Sequence, residues 1–538
     1  MKYFNKYIFV LLFAVLFVAC NDDFLDRYPQ EELSDGNFWK IPSDAEMFVA
    51  DVYRRVLPGS SQGDVDGDIN SDNAVHGIKW AAGNISKGVY DPADQGWSGD
   101  YAAIRASNLL IKKIDEIPNY AKEDKEAVVG EARFLRAMSY FQLIRKFGDV
   151  PYTDSPLDLS QLKIGRTPHK EVYDKLMEDF DYAIEKLPVQ WSAAKYGRIT
   201  KGAAHAMKAR AALYFGDFET AAQESEAVIS SNQYELFDKG NTGLYQELFW
   251  EKQESCKEAI LVRQFKNPEL TNYIIGWGAF PGVGWGGINP TQSLVDAFEC
   301  LDGGSISQSS LYSEKEPFAN RDPRLSACVL HDGELRYGIT IKVAPLRSSG
   351  NTGIAQHNDA TATGYYNNKY LDPSVSIANT WSGGKDWHVI RYAEVLLTYA
   401  EAQNKINPLD SKALDAVNQI RARVGQPDLQ TSNASLYTYV ANADELNLRI
   451  QNEWRVEFAL EGSKRQWDIR RWGIAKKVLN EPFLGLKYTL SEDGQSCSLY
   501  EGKSIVLSGS KYEDHNYLYP IPQEELELNF DLGQNPNY

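Results

Sequence analysis

The chain has 538 residues, a formal net charge of −18 at pH 7 and a sequence pI of about 5.0. An acidic chain lacks the basic face that nucleic-acid phosphates require, so we expect no nucleic-acid partner and no general attraction to anionic lipid headgroups. With 43% hydrophobic and 12% aromatic residues, including 31 Tyr and 12 Trp, the composition is that of a globular chain with a full core.

The first residues predict a secretory signal peptide. Lys2 and Lys6 are followed by an almost entirely apolar run from Tyr7 to Ala19, which is shorter than a bilayer-spanning helix. We therefore interpret residues 1–19 as a signal peptide, and we expect no membrane-spanning segment after it.

Cys20 directly follows this signal, at the place where a bacterial lipoprotein carries its lipid. An ordinary signal peptide followed by an incidental cysteine is the alternative. Asn21-Asp22-Asp23 comes next, and acidic residues at this place resemble the surface-export signal of Bacteroidetes lipoproteins. The sequence therefore predicts lipidation at Cys20, a lipidated tether over residues 20–40, and a cell-surface lipoprotein of the outer membrane that contacts the membrane through its lipid only.

Helical periodicity dominates residues 98–231. Apolar residues recur every three or four positions in residues 123–147, and Gly148 predicts the end of that helix. Thr167-Pro168 predicts an N-cap followed by proline at the first helical position, and Thr200 predicts the cap of the next helix.

A tight turn at Gly216-Asp217 joins two of these helices. The small and aromatic residues around it follow the pattern of a tetratricopeptide hairpin, in which small residues let antiparallel helices approach closely. These residues are Ala211, Tyr214, Phe218 and Ala221. A later hairpin is predicted from residues 391–405 and 411–424.

Elsewhere the sequence is rich in Gly, Pro, Asn, Ser and Trp. Residues 64–100 and 265–390 contain only short periodic pieces, and long irregular stretches in a compact protein are typically functional loops. Sugars can stack their C–H faces on aromatic rings while amide, carboxylate or guanidinium groups bond their hydroxyls. Since buried packing competes with sugar contact at each ring, we expect at least two of the loop tryptophans to be exposed and assign Trp97 to the core. The loop tryptophans are Trp80, Trp277, Trp285, Trp381 and Trp387.

No motif predicts a catalytic centre, metal or cofactor. The acidic loop 64–72 lacks the glycine and glutamate of an EF-hand, since Ile69 and Val75 stand at the sixth and twelfth positions. We interpret it as a solvated loop, with an irregular structural Ca²⁺ site as the alternative. The other cysteines have no zinc spacing and are expected as isolated buried thiols, although this compartment allows a disulfide. They are Cys256, Cys300, Cys328 and Cys497.

Ordered sequence blocks across essentially the whole chain resemble the SusD/RagB family of outer-membrane glycan-binding lipoproteins. The blocks are Cys20-x-x-Asp23-Phe24-Leu25-Asp26, residues 131–137 leading to Phe147-Gly148-Asp149-Val150-Pro151, residues 197–204, Asn320-Arg321-Asp322-Pro323-Arg324-Leu325, residues 393–402, Asn418-x-Ile420-Arg421-x-Arg423, residues 457–462, Asp468-Ile469-Arg470-Arg471-Trp472-Gly473, Tyr519-Pro520-Ile521-Pro522 and Gln534-Asn535-Pro536-x-Tyr538. Each block alone is moderately specific, and the ordered set is highly specific.

The resemblance implies an all-α fold in which about four tetratricopeptide-like helical hairpins pack against a loop-rich, mostly helical half. It implies a single domain over residues 41–538. The helical scaffold would occupy mainly residues 98–231 and 391–425, and the ligand-binding half mainly residues 64–97, 265–390 and 430–538. The implied function is non-catalytic: capture of an oligo- or polysaccharide and its delivery to a SusC-like TonB-dependent transporter.

Family members place binding aromatics in loops equivalent to residues 64–97 and 272–290. The resemblance therefore implies Trp80, Trp277 and Trp285 as glycan-binding residues. The polar candidates are Asp68, Asn70, Asn73 and Arg336.

The charged residues of the blocks have two interpretations, acid–base chemistry or structural ion pairing. We favour pairing, because buried charges persist only when they are paired. The residues concerned are Arg133, Arg136, Glu457, Glu461, Asp468, Arg470 and Arg471.

Three alternatives to glycan capture remain open at this point. The chain could be a peptide-binding member of the same family, an extracellular glycoside hydrolase with two close carboxylates, or an interaction protein whose hairpins bind a peptide partner.

Overall fold

The structure is a computed structural model that describes residues 38–58, 67–77, 88–89, 93, 95–158, 163–237, 242–251, 256–507 and 511–538. Within these ranges, no helix combines the length and the apolar character needed to cross a bilayer. The predicted signal peptide, Cys20 and most of the tether lie outside the described residues. Phe38 and Trp39 are buried against Phe48, so the packed part begins inside the range predicted as tether.

Helices dominate the described residues, which confirms the predicted fold class. In chain order they are α1 (Pro42–Val56), α2 (Trp97–Lys113), α3 (Lys122–Phe147), α4 (His169–Lys186), α5 (Lys201–Phe215), α6 (Phe218–Ser230), α7 (Ile274–Gly278), α8 (Gln292–Ala297), α9 (Pro323–Cys328), α10 (Tyr392–Ile406), α11 (Ser411–Arg423), α12 (Ala443–Glu457), α13 (Lys464–Arg471), α14 (Ala475–Asn480) and α15 (Gln523–Leu528). The likeness of single hairpins to tetratricopeptide repeats stays a prediction.

The scaffold is a succession of packed neighbours. Helix α3 packs against α2 and α4, α5 against α4 and α6, and α10 against α6, α11 and α12. One continuous hydrophobic core joins this scaffold to the loop-rich half. The loops that the sequence predicts to bind ligand therefore pack on a helical support.

The strands are short and form small antiparallel sheets. They are β1 (Ala74–His76), β2 (Ala259–Arg263), β3 (Ile288–Pro290), β4 (Val329–Leu330), β5 (Leu335–Arg336), β6 (Ile339–Thr340), β7 (Tyr366–Asn367), β8 (Trp387–Arg391), β9 (Phe483–Leu490), β10 (Cys497–Leu499) and β11 (Lys503–Leu507). The pairs are β1–β3, β2–β8, β4–β7 and β5–β6, and β9 lies between β10 and β11.

The turn between α5 and α6 has the predicted chemistry. Gly216 adopts φ 79°, a left-handed conformation that glycine takes without steric cost, and the Asp217 side chain accepts a hydrogen bond from the Thr220 N–H to cap α6. The Thr200 side chain caps α5 by accepting from the Ala203 N–H. The prediction at Thr167-Pro168 is wrong by one residue, because Thr167 pairs with Val150 in a bridge and α4 begins at His169.

A buried ionic network joins the late helices to the loop-rich half. Both oxygens of the Glu457 carboxylate accept hydrogen bonds from guanidinium groups, at 2.5 Å from Arg391 and at 2.6 Å from Arg423. Arg324 contributes a third contact at 3.0 Å. Burial alone would raise the pKa of Glu457, but the three guanidinium groups outweigh it and hold that pKa well below its usual range.

Four more charged residues of the sequence blocks are also paired. Arg136 donates two hydrogen bonds to Asp179, and Arg471 donates to Asp468 and Glu401. Glu461 accepts from Arg391. The structural interpretation of these charges is confirmed at these positions.

Candidate functional site

The two loop regions predicted to bind ligand meet in space. Strand β1 pairs with β3, with Val75 opposite Asn289, and the Gly77 N–H donates to the Gly287 carbonyl at 3.2 Å. The segment around residue 75 and the glycine-rich segment before residue 290 therefore form one surface, which local sequence could not indicate.

Backbone hydrogen bonds connect three segments that carry tryptophan. The Trp285 N–H donates to the Gly276 carbonyl at 2.9 Å, and the Gly276 N–H donates to the Thr380 carbonyl at 2.8 Å. The Thr380 hydroxyl donates to the Val283 carbonyl at 3.0 Å. Trp277, Trp285 and Trp381 are thus held by main-chain contacts, and a surface ordered before binding loses little entropy when it binds.

The three rings form a layered cluster, which we call the tryptophan platform. Trp285 lies edge-on to Trp381 with ring centroids 4.7 Å apart, and its centroid is 6.0 Å from that of Trp277. Trp285 is 45% exposed and Trp381 is 39% exposed, whereas Trp277 is only 2% exposed. The expectation of at least two exposed loop tryptophans is confirmed, and Trp277 is the floor beneath them.

Glycine permits this packing because there is no room for side chains. A Cβ atom at Gly276 would lie 2.5 Å from the Trp381 ring, and one at Gly287 would lie 2.7 Å from the Trp277 ring. A Cβ atom at Gly284 would lie 2.0 Å from the Gly276 carbonyl oxygen. The repeated glycines of the sequence are therefore the positions at which rings and neighbouring backbone pack closely.

Polar residues lie in and next to the loop that carries Trp381. Asn267 and Asn379 are exposed, and the Asn267 amide donates to the Ser382 carbonyl at 2.6 Å. The Glu251 carboxylate accepts from the Gly384 N–H at 2.7 Å and so fixes the loop after Trp381. Aromatic faces bordered by amides are the combination that sugar rings and their hydroxyls require.

Three residues that the sequence predicted to contact a ligand, Trp277, Asp68 and Asn73, are buried. Their burial contradicts the prediction of direct contact. Trp277 packs beneath Trp285 and against His76. Asp68 accepts hydrogen bonds from the Asn73 side chain at 3.1 Å and from the Leu460 N–H at 2.6 Å. Asn73 also accepts from Arg455 at 2.8 Å. These side chains support the loops from beneath.

Asp68 has an unusual protonation state. Burial raises its pKa to about 7, although the hydrogen bonds from Asn73 and Leu460 act in the opposite direction. Its second oxygen is buried and has no hydrogen-bond partner among the described residues. At neutral pH the Asp68 carboxyl is therefore about half protonated, and it is mainly protonated at lower pH.

The remaining predicted residues have mixed positions. Asn70 is half-buried beside a separate cavity, and Arg336 is half-buried, donating to the Asn368 side chain at 3.1 Å. Arg336 lies on the β5–β6 hairpin, opposite Ile339. This hairpin lies close to Gly282, because a Cβ atom at Gly282 would be 3.1 Å from the Ile339 side chain. Trp80 lies outside the described residues.

Trp381 was among the loop tryptophans identified from the sequence but was not predicted to bind glycan, whereas Trp277 was. The glycines after Trp381 were the available signal. Trp97 and Trp387 are buried, and the prediction of Trp97 as core is confirmed.

Within the described ranges, potential metal ligands are dispersed and the thiols are unpaired. No group of three His, Cys, Asp or Glu side chains there is placed to hold a metal ion, and residues 64–66 of the acidic loop lie outside those ranges. All four described cysteines carry thiols that are not in disulfides, with Cys300 and Cys328 buried.

Comparisons with known proteins cover both halves of the chain. The model of the SusD family matches residues 252–538. A second model, described as starch-binding and associating with the outer membrane, matches residues 23–213.

Relatives match over nearly the full length. The chain is 28% identical to SusD-like protein P2 of Formosa agariphila, with 99% of each chain covered. A crystal structure of a SusD-like protein from Bacteroides fragilis is 28% identical with a TM-score of 0.81, covering 95% of this chain and 100% of that one. A SusD-like carbohydrate binding protein of the same organism is 26% identical with a TM-score of 0.81, covering 92% and 100%.

Proposed function

The chain belongs to the SusD family, and from that premise we propose that it captures an oligo- or polysaccharide on the tryptophan platform and delivers it to a SusC-like TonB-dependent transporter. The observation that carries the proposal is the adjacent exposed pair Trp285 and Trp381, held by main-chain hydrogen bonds and bordered by exposed amides.

The platform has the properties of a weak, reversible binding surface. Two exposed indole rings and a few amides supply stacking and hydrogen bonds, which together support an affinity in the micromolar to millimolar range, about −4 to −8 kcal/mol. The buried Trp277 and the close-packed glycines keep the exposed rings in place. Reversible binding is what hand-over to a transporter requires.

The buried positions of the charged residues fit a non-catalytic role for the protein. Glu457 and Glu461, two of the carboxylates considered for acid–base chemistry, are buried in ion pairs with Arg391. Glycoside hydrolysis needs two carboxylates facing the scissile bond across an accessible cleft. Locked carboxylates inside the core favour a stabilising function.

The location we propose is the outer face of the outer membrane, with lipid on Cys20 as the anchor. The family model that matches residues 23–213 is described as starch-binding and associating with the outer membrane, which supports that location. A single lipid chain binds a membrane only marginally, so contact with the transporter would strengthen retention.

The test is native affinity electrophoresis of the purified protein in gels containing individual polysaccharides. We expect retardation by one glycan class, lost in Trp285→Ala and in Trp381→Ala and kept in Phe530→Ala. Phe530 is an 81% exposed aromatic residue of the C-terminal segment and is the matched control.

Parallel assays separate the other functions. We expect no reducing sugar to be released from the retained glycan, and we expect co-purification of a TonB-dependent transporter from membranes. Release of reducing sugar would favour a hydrolase, and binding of peptides with no glycan retained would favour the peptide-binding alternative.

A further inference from the structure

We propose that a second cavity, separate from the tryptophan platform, binds a compact oxyanion such as a carboxylate, sulfate or phosphate group. This cavity, which we call the arginine cavity, has a volume of about 640 Å³ and lies between the ends of α3 and α5, helix α13 and the C-terminal segment. All of its lining residues are within the described part of the chain.

The charge of the arginine cavity is opposite to that of the chain. Arg145, Arg166 and Arg470 line it, together with Arg471, which is already paired with Glu401 and Asp468, and a single acidic lining residue, Asp149. The whole chain has a formal charge of −18. A local excess of guanidinium groups in an acidic protein marks a place where a bound anion would be attracted.

The Arg145 guanidinium lies in the cavity wall among aromatic rings and has no carboxylate beside it in the described part of the chain. Its guanidinium lies over the rings of Trp467 at 4.2 Å and Phe141 at 5.0 Å, and it donates to the Gln142 side chain. Its Nε atom is buried and has no hydrogen-bond partner, and it forms no ion pair with a carboxylate among the described residues. Burial lowers the pKa of Arg145 to about 10, so the group stays charged at neutral pH.

A buried cation without a counter-charge is costly, and arginine cannot relieve that cost by losing its proton at neutral pH. Ring contacts compensate only partly. An anion in the adjacent cavity would supply the counter-charge.

Arg166 provides a second positive charge at a fixed position. It donates to the Asp149 carbonyl at 2.6 Å, to the Phe147 carbonyl at 3.2 Å and to the Asn535 side chain at 2.6 Å. These acceptors are neutral, so they fix the guanidinium without cancelling its charge. The Asp149 carboxylate accepts from the backbone and ring of His169 instead.

The guanidinium groups of the arginine cavity determine which class of ligand it can bind. Their paired N–H groups match the oxygens of carboxylate, sulfate and phosphate in bidentate geometry. Tyr214, Phe215 and Tyr517 also line the cavity and offer apolar surface to a ligand larger than an inorganic ion. The same chemistry therefore fits a free inorganic anion or the acidic group of a sugar acid.

The experiment is isothermal titration calorimetry of the full chain with sodium sulfate, sodium phosphate and sodium glucuronate, at constant ionic strength set with NaCl. Sulfate and phosphate also stabilise proteins through exclusion from the surface, which gives no saturable heat. We expect saturable binding of at least one probe. Binding of glucuronate alone would identify sugar acids as the source, and binding of the inorganic ions alone would identify a free anion.

Two variants test the assignment to the arginine cavity. We expect Arg145→Gln and Arg166→Gln each to weaken that binding at least tenfold, while Arg54→Gln, an exposed arginine paired with Asp51, leaves it unchanged. Without anion, Arg145→Gln should unfold at the same or a higher temperature than the parent chain, because an uncompensated buried charge is removed. Absence of saturable binding for all three probes, or unchanged binding in both cavity variants, would overturn the proposal.

Discussion

Asp68→Asn replaces a buried carboxyl with a neutral group of the same shape, and we expect the variant to gain stability relative to the parent chain as pH rises. Asp68 has a folded pKa of about 7 against an ordinary value of 3.8. A folded pKa raised above the unfolded one contributes stability that is fully present below the unfolded value and is lost as pH rises through the folded value.

The magnitude follows from the width of that window. One pKa unit corresponds to about 1.4 kcal/mol, so the Asp68 contribution changes by about 3 kcal/mol between pH 5 and pH 8. Asparagine does not titrate, and its side-chain oxygen can still accept from the Asn73 side chain and the Leu460 N–H. The free-energy difference between variant and parent should therefore shift by about 3 kcal/mol in favour of the variant over this range.

Urea denaturation of both proteins at pH 5 and pH 8, followed by tryptophan fluorescence, measures this difference. A difference in unfolding free energy that is the same at both pH values would refute the reasoning, because it would mean that Asp68 titrates alike in the folded and unfolded chains. A glycan affinity unchanged in the variant would in addition support a structural function for Asp68.

Two further substitutions test the support of the fold and of the platform. Glu457→Gln leaves the buried guanidinium groups of Arg391, Arg423 and Arg324 without their shared charge, and we expect a loss of about 3–5 kcal/mol in the free energy of unfolding. A loss below about 1 kcal/mol by chemical denaturation would contradict this account of the network. Gly276→Ala places a methyl group 2.5 Å from the Trp381 ring, so the ring must move and glycan retardation in the affinity gel should weaken. Gly99→Ala, with nothing within 4 Å of the added atom, is the control, and equal retardation of both variants would count against a pre-ordered platform.

Local features of the fold were predictable from the sequence because their causes are local. The Gly216-Asp217 turn and the Thr200 cap depend on residues within four positions of one another, and the structure has both. The observed start of α4 differs from the predicted one by one residue, because Thr167 pairs with Val150. Helix-capping rules do not include such a contact.

The site was predictable as a region but not residue by residue. Glycine beside tryptophan indicated an exposed ring correctly at Trp285 but not at Trp277, which is buried. The contact between Trp285 and Trp381 joins two segments that are far apart in the sequence. The burial of Asp68 depends on Leu460, which is 392 positions away. Such long-range contacts decide which ring or carboxyl faces solvent, and composition and spacing do not specify them.

The pairing of charged residues was predictable from general physical chemistry. Arginine and glutamate repeated within apolar helical blocks cannot be buried singly, so a network was the expected outcome. The identity of the partners, such as Arg391 with Glu258 and Glu461, required the fold.

The most direct test of the central claim is the dissociation constant of the retained glycan for the parent chain, for the double variant Trp285→Ala/Trp381→Ala and for Phe530→Ala, measured by isothermal titration calorimetry. Removing both exposed rings should weaken binding at least tenfold, about 1.4 kcal/mol or more, with no change in Phe530→Ala. Parent-like affinity in a folded double variant would contradict the tryptophan platform as the site of glycan capture.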